Sequence, residues 1–415
     1  MLIDCKSRKN TAIPRALSGV AAIIALFAAC SFSHPSREHA VGSAGADTAI
    51  ITGAAQMQAY LPLLKGQRVG VVANPTSMIG RTHLVDSLLK HDIKVKRVFG
   101  PEHGFRGNAE AGGAIANAID SRTGLPVVSL YGTHNKPTPA DLAGIDIMLF
   151  DIQDVGVRCY TYISTLTYVM EACAAAHIPL VVLDRPNPNG YYIDGPVLEP
   201  AMTSFVGLHP VPLVYGLTIG EYATMVNGEG WLGKAVKCDL KVVRLKHYTH
   251  ASRYDLPVKP SPNLPDMASI YLYPSLCLFE GTVVSVGRGT TTPFRIFGHP
   301  GLADESFSFT PVAIRGISEH PPCEGKLCFG KDLTADAGDL KTNGRIELKW
   351  LISSYNQLKN KEHYFNNFFE KLAGTKDLRR QIESGQSQAM IRAGWKKELD
   401  TYNLMRKKYL LYQDF

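Results

Sequence analysis

The stretch VKRVFGPEHGFRG, residues 95–107, joins a predicted β-strand to a loop that carries charged side chains. Residues 95–99 are rich in valine and phenylalanine, which favours a strand. Three glycines and a proline in residues 100–107 exclude regular structure and predict a tight loop. Ligands bind beyond the carboxyl ends of strands in open α/β sheets. Glu102 therefore lies where a residue that transfers protons to or from a substrate is expected. The alternative is that Glu102 and Arg106 only pair with each other on a solvated loop.

Strand and helix patterns alternate on both sides of this loop. The predicted strands are mostly apolar on both faces, which indicates a parallel sheet covered by helices on both sides. The fold class is therefore α/β, with a Rossmann-like open parallel sheet over residues 50–200. No G-x-G-x-x-G follows the first strand, so we predict neither NAD nor FAD, nor any other cofactor. The predicted strands are 67–74, 95–99, 126–131, 145–151 and 179–184, and the helices are 82–90 and 160–177.

Residues 201–415 have a different pattern, which predicts a smaller α+β domain. A helix is expected at 218–228, a strand at 240–245 and a helix at 269–278. A second glycine-rich loop follows at 287–295. From about residue 341 the chain is predicted to be mainly helical, ending in a basic amphipathic helix near residues 395–412.

The first 49 residues predict export and anchoring rather than a fold. Residues 6–15 are basic, and residues 16–29 form an apolar run that is too short to span a bilayer. This run ends Ala28-Ala29-Cys30, which resembles a bacterial lipobox. We therefore predict a lipoprotein signal peptide over residues 1–29, a lipidated Cys30 and a polar tether over residues 30–49. The alternative is ordinary signal cleavage that leaves Cys30 free.

Charge and cysteine usage limit the partners. The net charge is +7, but no Lys/Arg block of the kind that follows nucleic acid is present, so we predict no nucleic-acid partner. The only predicted membrane contact is the lipid anchor, which would face the periplasm or the cell surface. In an oxidising compartment Cys323 and Cys328 are spaced to close a small disulfide loop. No Cys/His set has zinc-site spacing.

Carboxylates follow several of the predicted strands, and the carboxyl ends of parallel strands meet at one edge of a sheet. Two carboxyl groups that face one substrate are the arrangement of glycoside hydrolysis. Glu102 is the better acid, because desolvation by Phe99 and Phe105 would raise its pKa. Asp151, Asp154 and Glu280 compete for the second catalytic role. The carboxylates expected at this edge are Glu102, Asp151, Asp154 and Asp184.

Each of these carboxylates also has an alternative role. Asp151 and Asp184 would instead cap or brace nearby helices and loops. A metal interpretation places Mg²⁺ or Mn²⁺ on His103, Asp151 and Asp154, and it ranks lower because no phosphate-binding loop is present. Arginines in these loops have the geometry to bind an anionic group, and tyrosines to stack on a sugar. The candidate substrate-binding residues are His103, Arg106, Arg158, Tyr160, Asp184, Arg185, Glu280 and Arg288.

Together, six motifs in this order resemble one family, the exo-β-N-acetylmuramidases of NamZ type. The resemblance implies a Rossmann-like domain, a smaller C-terminal domain and an active site in the cleft between them. It implies release of N-acetylmuramic acid from the non-reducing end of peptidoglycan fragments or muropeptides, with Glu102 of the G-P-E-H-G motif as catalytic acid. The rival predictions are a non-catalytic peptidoglycan-binding lipoprotein and a metal-dependent phosphoesterase. The motifs are FGPEHGFRG (99–107), DIQDVGVRCYTY (151–162), LDRPNP (183–188), SPNLP (261–265), FEGT (279–282) and GRGT (287–290).

The lactyl carboxylate of muramic acid needs a cationic partner. By charge alone, Arg158 and Arg288 are the candidates for that contact.

Overall fold

The computed structural model describes residues 49–106, 118–233, 236–303 and 306–415. Its strands are β1 (Arg68–Ala73), β2 (Met78–Ile79), β3 (Thr82–His83), β4 (Lys94–Gly100), β5 (Ala118–Ile119), β6 (Pro126–Ser129), β7 (Ile147–Asp151), β8 (Leu180–Leu183), β9 (Asp194–Val197), β10 (Pro212–Val214), β11 (Leu240–Val243), β12 (Ile296–His299), β13 (Ser308–Phe309) and β14 (Cys328–Asp332). Its α-helices are α1 (Met57–Leu64), α2 (Leu84–Lys90), α3 (Pro139–Leu142), α4 (Tyr162–Ala175), α5 (Ile219–Gly228), α6 (Met267–Leu276), α7 (Ala337–Asn343), α8 (Lys349–Gln357), α9 (Phe369–Ala373), α10 (Asp377–Glu383), α11 (Gln388–Gly394) and α12 (Lys396–Arg406).

A seven-stranded sheet is the centre of the described part, with the order β11-β8-β7-β1-β4-β6-β5. The strands from β11 to β6 pair in parallel, which confirms the predicted α/β fold class. Two details differ from the prediction. The edge strand β5 is antiparallel to β6. Strand β11, which we expected in the second domain, pairs with β8 and extends this sheet.

The sheet is buried on both faces, as its sequence pattern predicts. All five residues of β7 and all four of β8 are buried. One core joins the sheet to α1 and α2, through side chains such as Tyr60 and Leu88. The larger core extends from Phe150 in β7 to Tyr402 in α12. The C-terminal helices therefore share one continuous hydrophobic core with the second side of the sheet.

The C-terminal part combines a small sheet with helices. Strands β12, β14 and β13 form a three-stranded antiparallel sheet. The predicted basic helix begins at Lys396 and ends at Arg406, earlier than expected. Arg406 is buried, and its guanidinium binds Asp414 and donates to the carbonyl of Gly216. This last contact ties the end of the chain to the loop before α5.

The predicted signal peptide, Cys30 and all of the tether except residue 49 lie outside the described residues, so export and lipidation stay predictions. The division at residue 200 also stays a prediction. Over the described ranges, every helix is too short or too polar to cross a bilayer. Cys323 and Cys328 are free thiols in the structure, and a hydrogen bond with Cys328 lowers the pKa of Cys323 to about 7.

Candidate active site

The loop after β4 directs Glu102 into a cavity. His103 has a φ of +67°, a left-handed conformation that is uncommon outside glycine and often found at functional sites. The backbone N–H of Gly104 closes the turn by donating to the carbonyl of Pro101 at 2.9 Å. The loop then folds back so closely that a Cβ on Gly100 would lie 2.9 Å from the backbone nitrogen of Phe105. This tight turn explains why the stretch needs glycine at position 100.

Arg106 holds the loop from outside the cavity. Its guanidinium donates to Asp120 at 3.0 and 3.2 Å and to Asp86 at 3.1 Å. These two aspartates, rather than Glu102, are the carboxylate partners that the structure gives Arg106. The arginine therefore braces the loop, and Glu102 is directed toward the cavity instead.

The cavity has a volume of about 210 Å³ and is lined by residues from several distant parts of the chain. Charged residues lie beside aromatic and apolar ones, and His103 is among them. Thr161, at the start of α4, donates from its hydroxyl to Glu102 Oε2 at 3.2 Å. The lining residues are Glu102, His103, Tyr131, Cys159, Tyr160, Thr161, Tyr162, Phe205, Val206, Ser261, Asn263, Leu264, Tyr273, Glu280, Arg288, Phe294, Phe368 and Leu372.

The second carboxyl group of the cavity belongs to Glu280. It lies in the short 3-10 helix that follows α6, and Arg288 donates to its Oε1 from Nη2 at 2.6 Å and from Nε at 3.0 Å. Both side chains are 22% exposed, so each can meet a molecule that enters the cavity. Of the three residues predicted for the second catalytic role, Glu280 lines the cavity, whereas Asp151 and Asp154 do not.

Asp151 and Arg185 form a buried ion pair beside the cavity. Arg185 donates to the two carboxylate oxygens of Asp151 at 2.6 and 2.9 Å, and it also donates to the carbonyl of Met78 at 3.2 Å. The side chain of Asp151 is fully buried, and that of Arg185 is 4% exposed. The pair therefore braces the carboxyl ends of the strands.

We expect the substitution Asp151→Asn to lower the free energy of unfolding by about 3–5 kcal/mol, because it leaves the guanidinium of Arg185 buried without its counter-charge. Urea denaturation followed by circular dichroism measures this loss. The matched control is Asp400→Asn, whose partner Lys396 is exposed, and we expect a change within about 0.5 kcal/mol. Equal midpoints for wild type and Asp151→Asn would contradict the role assigned to the buried pair.

Asp154 is buried outside the cavity lining. Its Oδ2 accepts from the backbone N–H of Gly156 at 2.6 Å and from the hydroxyl of Tyr215. Burial raises the pKa of Asp154 to about 7. Because Asp151 is bound to Arg185, the three residues of the metal interpretation are not arranged as a ligand set. Across the described ranges, no group of three His, Cys, Asp or Glu side chains is placed to hold a metal ion.

Asp184 directly follows β8, and its fully buried side chain contacts the start of α5. Its Oδ1 accepts from the backbone N–H of Gly220 at 2.8 Å, and its Oδ2 accepts from the hydroxyl of Thr218 at 2.8 Å. Burial raises its pKa to about 7. These contacts correspond to the bracing alternative, since Asp184 lies away from the cavity.

Arg158 is also placed outside the cavity. Its guanidinium donates to the backbone carbonyls of Pro196, Val211, Leu372 and Ala373 at 2.8–3.0 Å. Burial lowers its pKa to about 10. Of the two arginines considered for the lactyl carboxylate, Arg288 lines the cavity and Arg158 braces the backbone around it.

Sequence reasoning missed part of the cavity wall. Asn263 lies in the SPNLP motif, whose clustered prolines were a signal that its asparagine is held in place. Phe205 and Phe368 lie in segments without any motif, far from Glu102 along the chain. The structure brings together the predicted residues Glu102, His103, Tyr160, Glu280 and Arg288.

Comparisons with known proteins identify the family of this chain. The family description "Exo-beta-N-acetylmuramidase NamZ, N-terminal" matches residues 69–268, and its C-terminal counterpart matches residues 271–412. The chain is 42% identical over 382 residues to the peptidoglycan β-N-acetylmuramidase NamZ of Bacillus subtilis (strain 168), which covers 85% of this chain and 89% of that relative.

Two crystal structures of DUF1343 family proteins from Bacteroides fragilis NCTC 9343 have a similar fold. One has a TM-score of 0.83 at 46% sequence identity, and the other a TM-score of 0.72 at 30% identity. Each alignment covers 88% of this chain and 100% of the other. The predicted resemblance and the prediction of a glycosidase are confirmed. The chain belongs to the NamZ family of exo-β-N-acetylmuramidases.

Proposed function

We propose that this chain removes N-acetylmuramic acid from the non-reducing end of peptidoglycan fragments, with Glu102 as general acid. The observation that carries the proposal is the meeting of two carboxyl groups, Glu102 and Glu280, in one small cavity. At about 210 Å³ the cavity is smaller than the roughly 300–1,000 Å³ of pockets for drug-sized ligands. Its size suits one terminal sugar, which is what an exo-acting enzyme must enclose.

Glu102 has a neutral hydroxyl as its partner, whereas Glu280 has a guanidinium. These different partners suit Glu102 to the role of acid and Glu280 to the role of carboxylate. The hydroxyl of Thr161 orients Glu102, which gives its proton to the glycosidic oxygen as the bond to the anomeric carbon breaks. Arg288 orients Glu280, whose carboxylate stabilises the positive charge that develops at the anomeric carbon. Water then adds to that carbon, and the proton it releases returns the carboxylate of Glu102 to its acid form.

Arg288 also supplies the charge needed to recognise muramic acid. Its guanidinium lines the cavity, and guanidinium groups bind carboxylates through paired N–H donors. We assign it to the lactyl carboxylate, which is the group that distinguishes muramic acid from N-acetylglucosamine. Arg158 has no comparable access, because four backbone carbonyls accept its hydrogen bonds.

The test is hydrolysis of para-nitrophenyl β-N-acetylmuramide and of the matching N-acetylglucosaminide by the purified protein. We expect kcat/KM to favour the muramide by about 100-fold or more, because the glucosaminide has no carboxylate to accept from the N–H donors of Arg288 that Glu280 does not use. The variant Arg288→Lys keeps the charge but loses the paired donors, so its preference should be smaller. Equal rates on both sugars would overturn the lactyl assignment, and binding without hydrolysis of either would favour a non-catalytic protein.

A further inference from the structure

We propose that Phe205 and Phe368, the rim phenylalanines, bind the leaving-group sugar that follows the terminal muramic acid. This inference rests on the proposed function and adds a second binding position to it. Both rings line the cavity that contains Glu102 and Glu280. They form a separate apolar surface beside the charged groups.

Exposure separates the rim of the cavity from its interior. Phe368 is 42% exposed and Phe205 is partly exposed, whereas lining residues such as Tyr160, Tyr273 and Phe294 are buried. An exo-acting enzyme encloses the terminal sugar, so the rest of the glycan must leave through the cavity mouth. Phe368 is the exposed lining side chain and Phe205 is one of the partly exposed ones, so both lie where the second sugar is expected to pass.

Phe368 is fixed relative to the second carboxyl group. The backbone N–H of Asn366 donates to the carbonyl of Gly281 at 2.9 Å, and its side-chain amide donates to the carbonyl of Glu280 at 3.4 Å. Asn366 Oδ1 in turn accepts from the backbone N–H of Phe368 at 2.8 Å. A Cβ on Gly281 would lie 2.3 Å from the Cα of Phe369, so this close approach requires glycine. The segment that carries Phe368 is thus attached to the backbone of Glu280.

Phe205 is held in place by a ring contact and by a backbone turn. Its ring stacks on Tyr168 of α4, with the ring centroids 6.0 Å apart and the planes 16° from parallel. Ser204 and Gly207, on either side of it, exchange two backbone hydrogen bonds of 2.9 Å, which close a tight turn.

One buried arginine joins the two rim segments. The Cδ of Arg158 is 3.3 Å from where a Cβ on Gly207 would lie, and its Nη2 donates to the carbonyls of Leu372 and Ala373. The segments that carry Phe205 and Phe368 therefore adjoin the same side chain.

A pyranose ring suits such a surface. Its axial C–H bonds form an apolar face, and burying that face against an aromatic ring removes apolar surface of both from water. The sugar hydroxyls stay at the ring edge, where they reach solvent. The contact requires a sugar on the leaving-group side, so a substrate without one cannot use it.

The experiment compares two muramides, one with N-acetylglucosamine and one with a methyl group as the leaving group. For Phe368→Ala and Phe205→Ala we expect kcat/KM on the disaccharide to fall about 10- to 50-fold, because each substitution removes the apolar side chain against which the second sugar buries its C–H face. On methyl β-N-acetylmuramide, which has no leaving-group sugar, the loss in both variants should be clearly smaller than the loss on the disaccharide. Phe368→Tyr should retain activity on both substrates. The matched control is Met390→Ala on α11, which removes a 61% exposed apolar side chain that does not line the cavity.

The outcomes of this experiment distinguish a failure of the rim assignment from a failure of the proposed function. An equal loss on both substrates, or no loss on either, would overturn the assignment of the rim phenylalanines to the leaving-group sugar. A wild-type protein that hydrolyses neither muramide would overturn the proposed function and this inference with it. An active wild type with an unchanged Phe368→Ala and Phe205→Ala would overturn the rim inference alone.

Discussion

Glu102→Gln is expected to lower kcat on a muramyl disaccharide by about 10²–10⁴-fold, because the amide cannot protonate the departing sugar. The substitution keeps the shape of the side chain and its place beside Thr161. On para-nitrophenyl β-N-acetylmuramide the loss should be far smaller, since nitrophenolate leaves without a proton from the enzyme. The ratio of the two losses, measured on the same preparation, is the informative quantity.

The control for this result is Thr161→Val, which removes the hydroxyl that donates to Glu102 Oε2. We expect it to lower kcat on the disaccharide by about tenfold, because the hydroxyl stabilises the negative charge that Glu102 gains as it gives up its proton. Full activity of Glu102→Gln on the disaccharide would show that another group supplies the proton. An equal loss on both substrates would instead assign Glu102 to a step other than protonation.

Glu280→Gln should lower kcat on both muramides by about 10²–10³-fold, because a stabiliser of charge at the anomeric carbon acts whatever the leaving group is. The amide oxygen can still accept from Arg288, so the loss reports the missing charge rather than a collapsed cavity. Steady-state rates on the disaccharide and the nitrophenyl muramide measure it. The pattern differs from that of Glu102→Gln, which depends on the leaving group.

The matched control is Asp154→Asn, since the sequence ranks Asp154 beside Glu280 for the same role. Asp154 lies outside the cavity lining, so we expect activity within about tenfold of wild type. Circular dichroism of both variants would separate misfolding from lost chemistry. Near-normal activity of Glu280→Gln together with an inactive, folded Asp154→Asn would exchange the two assignments.

Local sequence signals were sufficient to predict five strands of the seven-stranded sheet and the loop that carries Glu102. The predicted strand at 95–99 is β4, and the glycines after it do form the turn that presents Glu102. Parallel strands with apolar residues on both faces identified the α/β class for the same local reason. The Glu280 and Arg288 motifs were found because each combines a charged residue with glycines.

The roles of the remaining carboxylates depended on partners that are distant in sequence. Asp151, Asp154 and Asp184 do lie at or after the ends of strands in one sheet. That position alone does not decide whether a carboxylate faces the cavity or binds a neighbouring group. Tyr215 donates a hydrogen bond to Asp154, and the backbone at the start of α5 donates one to Asp184. Arg185 forms an ion pair with Asp151. No periodicity or spacing predicts such pairings.

The cavity draws its wall from segments spread between Glu102 and Leu372, and this has a consequence for the enzyme during its synthesis. A nascent chain that has reached residue 268 contains the acid but lacks Glu280, Arg288 and Phe368. Unfinished or cleaved chains therefore lack several of the groups that we propose for hydrolysis.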